Sequence, residues 1–309
     1  MPKMARSLPV LLVVVGLPVA GLQAQDGFSE GLEYRPSVDV PVTLVGVAGM
    51  VGPPHLTDPS KTWTCLWCDR DDQGRDTLNG LDAAARRHWR WSDREKAHRW
   101  SNVSLALSLA APAAAFIGVR GGVGSGFGGE MLIVLESAAV NMALTQGTKY
   151  VFRRERPWAH FDDPLPGQRR GSRESMLSFT SGHTGLAFSL AVSTASLASL
   201  RDDEGKEWVW ATGLTFAAAS GYLRIAADRH YLTDVLVGAA IGAAAGWVVP
   251  RLFDRGTEEA AEPVVHGPAP PVVAFSAVLG GGRGPRPDGV LVTGGFQGGG
   301  PFVSATWGF

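Results

Sequence analysis

The residues whose types and spacing could do chemistry lie in three short polar segments, KYVFRRERP, TSGH and RIAADRHYLTD. Together they supply three cations, two imidazoles, a carboxylate and a Ser-Gly pair: Lys149, Arg156, Ser181, Gly182, His183, Arg224, His230 and Asp234. The linking sequence is mostly apolar, so folding must bring these side chains together against apolar helices. Such a cluster is costly unless an anion or opposite charges compensate it. The pattern predicts a phosphate site, and two imidazoles beside phosphate indicate catalysis.

The first segment combines two kinds of phosphate-binding cation. Lys149 provides a point charge, and Arg156, seven residues later, provides a planar fork for two phosphate oxygens. Pro157 ends the preceding helix and fixes the exit of the chain. Arg153 and Arg154 lie between the two cations and are interpreted as surface charge.

The second segment has the features of a helix start. Ser181 is typical of an N-cap, and Gly182 allows a ligand to approach the backbone closely. Free N–H groups and a partial positive charge at a helix N-terminus favour bound phosphate. His183, in the first turn, is therefore expected beside the anion.

The third segment has the spacing of an activated histidine. Asp234 follows His230 by four residues, so a helix that begins near Tyr231 lets the carboxylate reach a ring nitrogen. That hydrogen bond would fix the tautomer of His230 and leave its other nitrogen free to attack. Arg224 precedes His230 by six residues and is expected in the same pocket.

The elements that must position these residues are predicted to be helices. Five apolar stretches lack the period-2 alternation of half-buried strands: residues 102–118, 130–152, 183–200, 208–227 and 232–249. They predict an all-α helical bundle. After residue 252 come a linker and a Gly-rich C-terminal tail, whose runs VVAFSAVL, GVLV and FVSATWGF are typical of β-strands.

Composition divides the chain into four regions. They are interpreted as a signal peptide or N-terminal anchor, an N-terminal region with a CxxC loop, a catalytic core, and a linker with the Gly-rich tail: 1–24, 25–100, 101–252 and 253–309. Lys3 and Arg6 precede an apolar run, and Ala24 offers a candidate cleavage site. Export would place the protein in the cell envelope. A net charge of −1 gives no reason to expect nucleic-acid binding.

The two cysteines, Cys65 and Cys68, are interpreted in the light of this export. In an oxidising compartment the pair favours a local disulfide that pins a loop. A redox motif is favoured less, because no thioredoxin-like βαβ pattern surrounds the pair. A zinc site would need further ligands such as His88 and His98, whose spacing from the cysteines is unusual.

In order, internal spacing and separation, the three polar segments resemble the signature of the type 2 phosphatidic acid phosphatase (PAP2) superfamily. That superfamily includes bacterial acid phosphatases, lipid phosphate phosphatases and vanadium haloperoxidases. The resemblance covers about half the chain, roughly residues 102–251. Two positions depart from the family pattern: Thr180 replaces a proline, and Leu223 replaces a serine. Neither departure removes a charged or catalytic group, so they place substrate preference in doubt more than activity.

The resemblance implies a role for each residue. Lys149, Arg156 and Arg224 would hold the phosphate oxygens, and Ser181 and Gly182 would add hydrogen bonds. In the same scheme His230 would form a phosphohistidine oriented by Asp234, while His183 would protonate the leaving oxygen and then help to activate water. No metal or other cofactor is expected.

The leading hypothesis is therefore a phosphatase acting on a lipid phosphate or a similar monoester or pyrophosphate. A second hypothesis is a vanadate-dependent haloperoxidase, because the same pocket can hold vanadate, and a third is an inactive structural protein of the envelope. The sequence indicates no oligomeric state. The apolar stretches favour membrane association slightly over a soluble periplasmic protein, and the active site is predicted to face the periplasm. The arginines around the first two segments oppose this topology by the positive-inside rule.

Overall fold

The computed structural model describes Leu44, residues 63–124 and 126–254, and the backbone of residues 275–279, 290–297 and 300–307. The candidate signal peptide at 1–24 lies outside the described residues. Between residues 63 and 254 the described elements are seven α-helices and one 3₁₀ turn: α1 Gly80–Trp89, α2 Arg94–Val119, α3 Phe127–Phe152, α4 Pro157–His160, 3₁₀ Glu174–Met176, α5 Gly182–Leu200, α6 Lys206–Ala226 and α7 Leu232–Leu252. The predicted all-α core is confirmed, and its five long helices match the five apolar stretches.

The charged stretch from Leu81 to Trp100 is divided between two helices. Helix α1 ends at Trp89, and α2 begins at Arg94 because the side chain of Asp93 accepts a hydrogen bond from the backbone N–H of Lys96 at 2.8 Å. Helix α2 then runs without a break through position 101, where the sequence placed the start of the catalytic core.

The tail contains three strands, β1 Phe275–Leu279, β2 Val290–Gln297 and β3 Gly300–Trp307. They form one antiparallel sheet in the order β1-β2-β3, with Phe275 opposite Gly294 and Val290 opposite Trp307. The strands fall on the three apolar runs of the tail.

Helices α5 and α7 pack backbone against backbone. A Cβ atom added to Gly242 of α7 would lie 2.0 Å from the carbonyl oxygen of Gly185 in α5, which no side chain could tolerate. Close approaches also occur at two other glycines of α7: Gly238 and Gly246. The contact brings the two helix N-termini together, so that the backbone N–H of Ser181 donates to the carbonyl of Asp234 at 3.0 Å.

The bundle buries many small residues between its helices and exposes large apolar residues on three of them. Its interior contains many fully buried alanines and serines, whereas exposed valines and leucines lie on α2, α3 and α7: Val103, Leu107, Leu135, Leu144, Val237 and Val248. These three helices are long and apolar enough to cross a membrane. Close packing through small residues is typical of helices that associate in lipid.

Candidate active site

The three polar segments meet at one end of the bundle. Lys149 lies in the last turn of α3 and Arg224 in the last turn of α6. Ser181 is the N-cap residue of α5, and Asp234 lies in the first turn of α7. Two helices therefore end where the other two begin. The loops between them carry Arg156 and His230, whereas Gly182 and His183 lie in the first turn of α5.

His230 is buried beside Arg156. The guanidinium Nη1 of Arg156 donates to His230 Nε2 at 3.3 Å and also to the carbonyl oxygen of Arg229 at 2.8 Å. Burial, together with the charges of Arg156 and Lys149, holds the pKa of His230 well below its usual value. His230 is therefore neutral, and because Nε2 accepts a hydrogen bond, its proton lies on Nδ1.

Three buried cations lie near the histidine, and none of them has an ion-pair partner among the described residues. Among the described residues, no carboxylate forms an ion pair with Lys149, Arg156 or Arg224, although these cations are only 9%, 9% and 4% exposed. Lys149 Nζ donates to the carbonyl of Leu177 at 2.9 Å. Burial lowers the pKa of Arg156 to about 10. Unpaired buried cations are costly, so the pocket is built to receive an anion.

Asp234 approaches His230 but does not form the predicted hydrogen bond. Its Oδ2 lies 3.6 Å from His230 Nδ1, beyond hydrogen-bond range. The same oxygen accepts from the backbone N–H of Tyr231 at 3.0 Å and from Ser178 Oγ at 2.5 Å. The first of these contacts closes a capping box at the start of α7, so the aspartate also serves the helix that carries it.

His183 is held by α2, which the sequence analysis did not associate with the site. His183 Nε2 donates to Asn102 Oδ1 at 3.0 Å, and its ring centroid lies 6.5 Å from that of His98. His98 Nδ1 in turn accepts from Arg224 Nη1 at 3.1 Å. The sequence contained a signal for this pair, since His98 and Asn102 are four residues apart and share one face of a helix.

Ser181 and Gly182 occupy the predicted turn, but Ser181 does not cap α5 through its side chain. Its hydroxyl is fully buried and lies 2.9 Å from that of Thr184. A Cβ atom on Gly182 would meet Thr145 Cγ2 at 3.4 Å, an ordinary contact. Packing alone therefore does not require glycine here, and close approach by a ligand stays a prediction.

The CxxC loop packs directly on the first polar segment. Cys65 and Cys68 form a disulfide, with their Cα atoms 5.5 Å apart. Leu66 N–H donates to the carbonyl of Arg153 at 3.2 Å, and Glu155 N–H donates to the carbonyl of Trp67 at 3.1 Å. The disulfide loop thus lies against the segment that supplies Lys149 and Arg156.

One interpretation from the sequence is wrong. Arg154, read as surface charge, is completely buried and paired with carboxylates of Asp69, Asp82 and Asp234. Its neighbour Arg153 is partly exposed and lies over the ring of Trp63. The partners of Arg154 are 72 to 85 residues away in the chain, so no local pattern revealed its burial.

The buried side chains of Lys149, Arg156 and Arg224 form a pocket, the cation pocket. A cavity of about 220 Å³ adjoins it on the side of His98. His98 and Arg229 link the two spaces, since His98 contacts Arg224 and the carbonyl of Arg229 contacts Arg156. Arg99 and Gln168 also line the cavity, together with Leu165 and Pro166, so its lining combines polar and apolar side chains.

Part of the chain is similar to a known protein family. The PAP2 superfamily profile matches residues 130–258, a range that contains all three polar segments. Over this stretch the chain is similar to the PAP2 superfamily, the family whose signature its segments resemble.

One curated relative is the lipid A 1-phosphatase of Porphyromonas gingivalis, which is 33% identical over 133 residues. The match covers 40% of this chain and 25% of the relative, so the chain spans about a quarter of that protein's length. Two solved structures are also similar. LpxE of Aquifex aeolicus has a TM-score of 0.40 at 21% identity and covers 56% of this chain and 95% of its own. A transmembrane PAP2-type phosphatidylglycerolphosphate phosphatase of Bacillus subtilis has a TM-score of 0.41 at 18% identity, with 69% and 94% covered.

Proposed function

We propose that this protein is a metal-independent phosphatase that hydrolyses a phosphomonoester or pyrophosphate, with a lipid phosphate as its substrate. The observation that carries the proposal is a group of three buried cations that have no carboxylate partner in the described part of the chain and lie beside a buried neutral histidine. Lys149, Arg156 and Arg224 would bind the three phosphoryl oxygens and stabilise the charge that they carry in the transition state.

The proposed reaction has two steps. His230 Nε2 attacks phosphorus, a P–N bond forms, and the P–O bond to the leaving group breaks while His183, as an imidazolium whose charge the bound phosphate stabilises, gives that oxygen a proton and becomes neutral. Water then attacks the phosphohistidine, His183 takes the proton of the water, and the P–N bond breaks to release phosphate. Asp234, 3.6 Å from Nδ1, would stabilise the positive charge that His230 acquires.

The surroundings of the site support a lipid substrate. Helices α2, α3 and α7 carry exposed apolar side chains and can span a bilayer by length and composition. The site would then lie at the membrane surface on the periplasmic side, and the adjoining cavity would hold the polar part of the leaving group. The relative from Porphyromonas gingivalis is named as a phosphatase of lipid A, and its named substrate is therefore a lipid phosphate.

Activity of the purified protein tests the proposal. In detergent and excess EDTA it should release phosphate from an aryl phosphate and from a long-chain lipid phosphate, and a radiolabelled substrate should label His230. His230→Ala should reduce turnover by about 10⁴-fold or more, and Lys149→Ala by about 10²-fold. His88→Ala, which changes an exposed histidine of α1, is the matched control. Wild-type turnover in His230→Ala would overturn the nucleophile assignment.

The same assay tests the role of His183. A leaving group of low pKa departs without a proton, whereas an alkoxide needs one. His183→Ala should therefore lose more activity on the lipid phosphate than on a nitrophenyl phosphate. Equal losses on the two substrates would show that His183 is not the general acid.

A further inference from the structure

Each nitrogen of the Arg154 guanidinium donates a hydrogen bond, although Arg154 does not line the pocket that Lys149, Arg156 and Arg224 form. Its Nη1 donates to Asp234 Oδ1 at 2.8 Å, its Nη2 to Asp82 Oδ2 at 2.8 Å, and its Nε to Asp69 Oδ2 at 3.0 Å. Nη1 also donates to Thr233 Oγ1 at 2.7 Å. The three carboxylates come from the disulfide loop region, α1 and α7, so a single guanidinium joins three separate parts of the chain.

Aromatic rings fix the plane of this guanidinium. Its central carbon lies 4.3 Å from the ring centroid of Trp67 and 4.1 Å from that of Tyr231. Both contacts are of the cation–π kind, which favours arginine over lysine because a planar group can stack. The position and the orientation of Arg154 are therefore both set, and so is the direction of its hydrogen bond to Asp234.

The partners of Arg154 are themselves held in place. Asp82 Oδ1 accepts from the backbone N–H of Thr233 at 2.8 Å, which ties α1 to the first turn of α7. Trp67 Nε1 donates to Asp69 Oδ1 at 2.9 Å within the disulfide loop region. Arg154 thus connects two rigid supports to the carboxylate that faces His230.

We propose that Arg154 is a positioning residue for the phosphoryl-transfer step, acting through Asp234 on the nucleophile His230. By holding Oδ1, it turns Oδ2 toward His230 Nδ1, where positive charge develops when Nε2 bonds to phosphorus. Lysine could supply the charge but not the fork that binds Asp234 and Asp82 at once. The inference rests on the proposed function, because it requires His230 to be the nucleophile.

Steady-state kinetics of Arg154→Gln and Arg154→Lys test this role. For Arg154→Gln we expect kcat to fall about 100-fold, as for a 1 Å misplacement of a reacting group, and Arg154→Lys to recover part of the loss. KM and inhibition by orthovanadate should stay at wild-type values, because Arg154 does not touch the cation pocket. Arg153→Gln is the matched control, since it changes the adjacent arginine, and it should retain the wild-type kcat.

A purely structural role gives a different result. It would lower the fraction of folded protein but leave kcat unchanged per vanadate-binding site, and that outcome would overturn the inference. If the Arg154 variants fail to fold, Asp69→Asn removes only one partner and should give a smaller loss of kcat at unchanged KM. Wild-type kcat per site in Asp69→Asn would then reject the proposal. Failure of the proposed function itself is distinct, since the wild-type protein would then form no phosphohistidine.

Discussion

At the scale of single residues, buried cations in this protein form two groups. Arg94, for example, is 8% exposed and pairs with Asp163 at 3.0 Å, as expected for a charge removed from water. Arg156 and Arg224 are equally buried, but no carboxylate of the described residues forms an ion pair with either of them. The difference marks the site independently of any motif, because a charge left unpaired in the folded protein indicates a partner that arrives later.

The neutral state of buried His230 predicts acid sensitivity in the absence of ligand. An unfolded histidine has a pKa of about 6.5, and burial with nearby cations depresses the folded value. Below about pH 6.5 the unfolded chain therefore binds a proton that the folded protein excludes, and the free energy of unfolding falls by up to about 1.4 kcal/mol per pH unit. His230→Asn should flatten the decline of the thermal unfolding midpoint between about pH 6.5 and pH 5.

His160 provides a control, because its protonation should change the stability of the fold with pH in the opposite direction. Burial disfavours its charged form, but hydrogen bonds with Glu155 and Asp76 outweigh burial and raise its pKa. Its contribution to stability is complete below its unfolded pKa and is lost as pH rises through the folded pKa. His160→Asn should therefore make the acid decline steeper. If the thermal unfolding midpoint of His230→Asn falls with pH as steeply as that of the wild type, His230 is not the group that the folded protein keeps from binding a proton.

The sequence predicted the members of the cation pocket because their chemistry is encoded locally. Lys149 and Arg156 share one segment, and His230 and Asp234 share one turn. Arg154 was misread because its environment depends on Asp69 and Asp82, which are remote in the chain. The same limit applies to Asn102, whose partner His183 is 81 residues away. Spacing reveals neighbours on one element, but burial depends on how the elements pack.

At the scale of elements, the contact between α5 and α7 determines the geometry of the site. Helix α5 carries Ser181 and His183 at its start, and α7 begins just after His230. Because the two backbones touch at Gly185 and Gly242, a side chain at this contact would separate both catalytic ends at once. The apolar stretches predicted the helices themselves, but they could not show which helix would pack against which.

Gly242→Ala should therefore damage the site from a distance. The new Cβ atom would meet the Gly185 carbonyl oxygen at 2.0 Å, so the helices must shift apart. Both the thermal unfolding midpoint and kcat are expected to fall, and overpacking typically destabilises by about 1–3 kcal/mol. The matched control is Gly147→Ala, where an added Cβ meets nothing within 4 Å and alanine favours the helix. Wild-type behaviour of Gly242→Ala would show that the contact is looser than described.

At the scale of the whole molecule, the site end and the opposite end of the bundle both carry basic residues. The opposite end holds its own set: Arg120, Arg201, Lys206 and Arg251. Glu130 there is fully buried between Arg120 at 2.5 Å and Arg201 at 2.6 Å. Because both ends carry positive charge, the positive-inside rule argues less strongly against an active site that faces the periplasm. The orientation of the bundle in the membrane can be measured directly.

Labelling of single introduced cysteines tests the proposed orientation. Arg169 lies on an exposed loop at the site end, and Glu204 lies on an exposed loop at the opposite end. The two variants to be labelled are Arg169→Cys and Glu204→Cys. If the active site faces the periplasm, a membrane-impermeant maleimide added to intact cells with a permeabilised outer membrane should label only the first. The native cysteines are held in the disulfide and give the background. Labelling of Glu204→Cys alone would reverse the orientation, and recovery of all protein in the carbonate-soluble fraction would exclude embedding.

The cavity beside the cation pocket is enclosed partly by the exposed loop between α4 and the 3₁₀ turn, which provides Gln168. His230 and the cations, by contrast, lie at or beside helix ends that are joined through backbone contacts. Under the proposed function, recognition of the ester and cleavage of its phosphate would thus depend on different parts of the chain. Substitutions in this one loop could diversify the range of accepted phosphate esters while the reactive centre stays intact, so homologues with the same charged residues need not share a substrate.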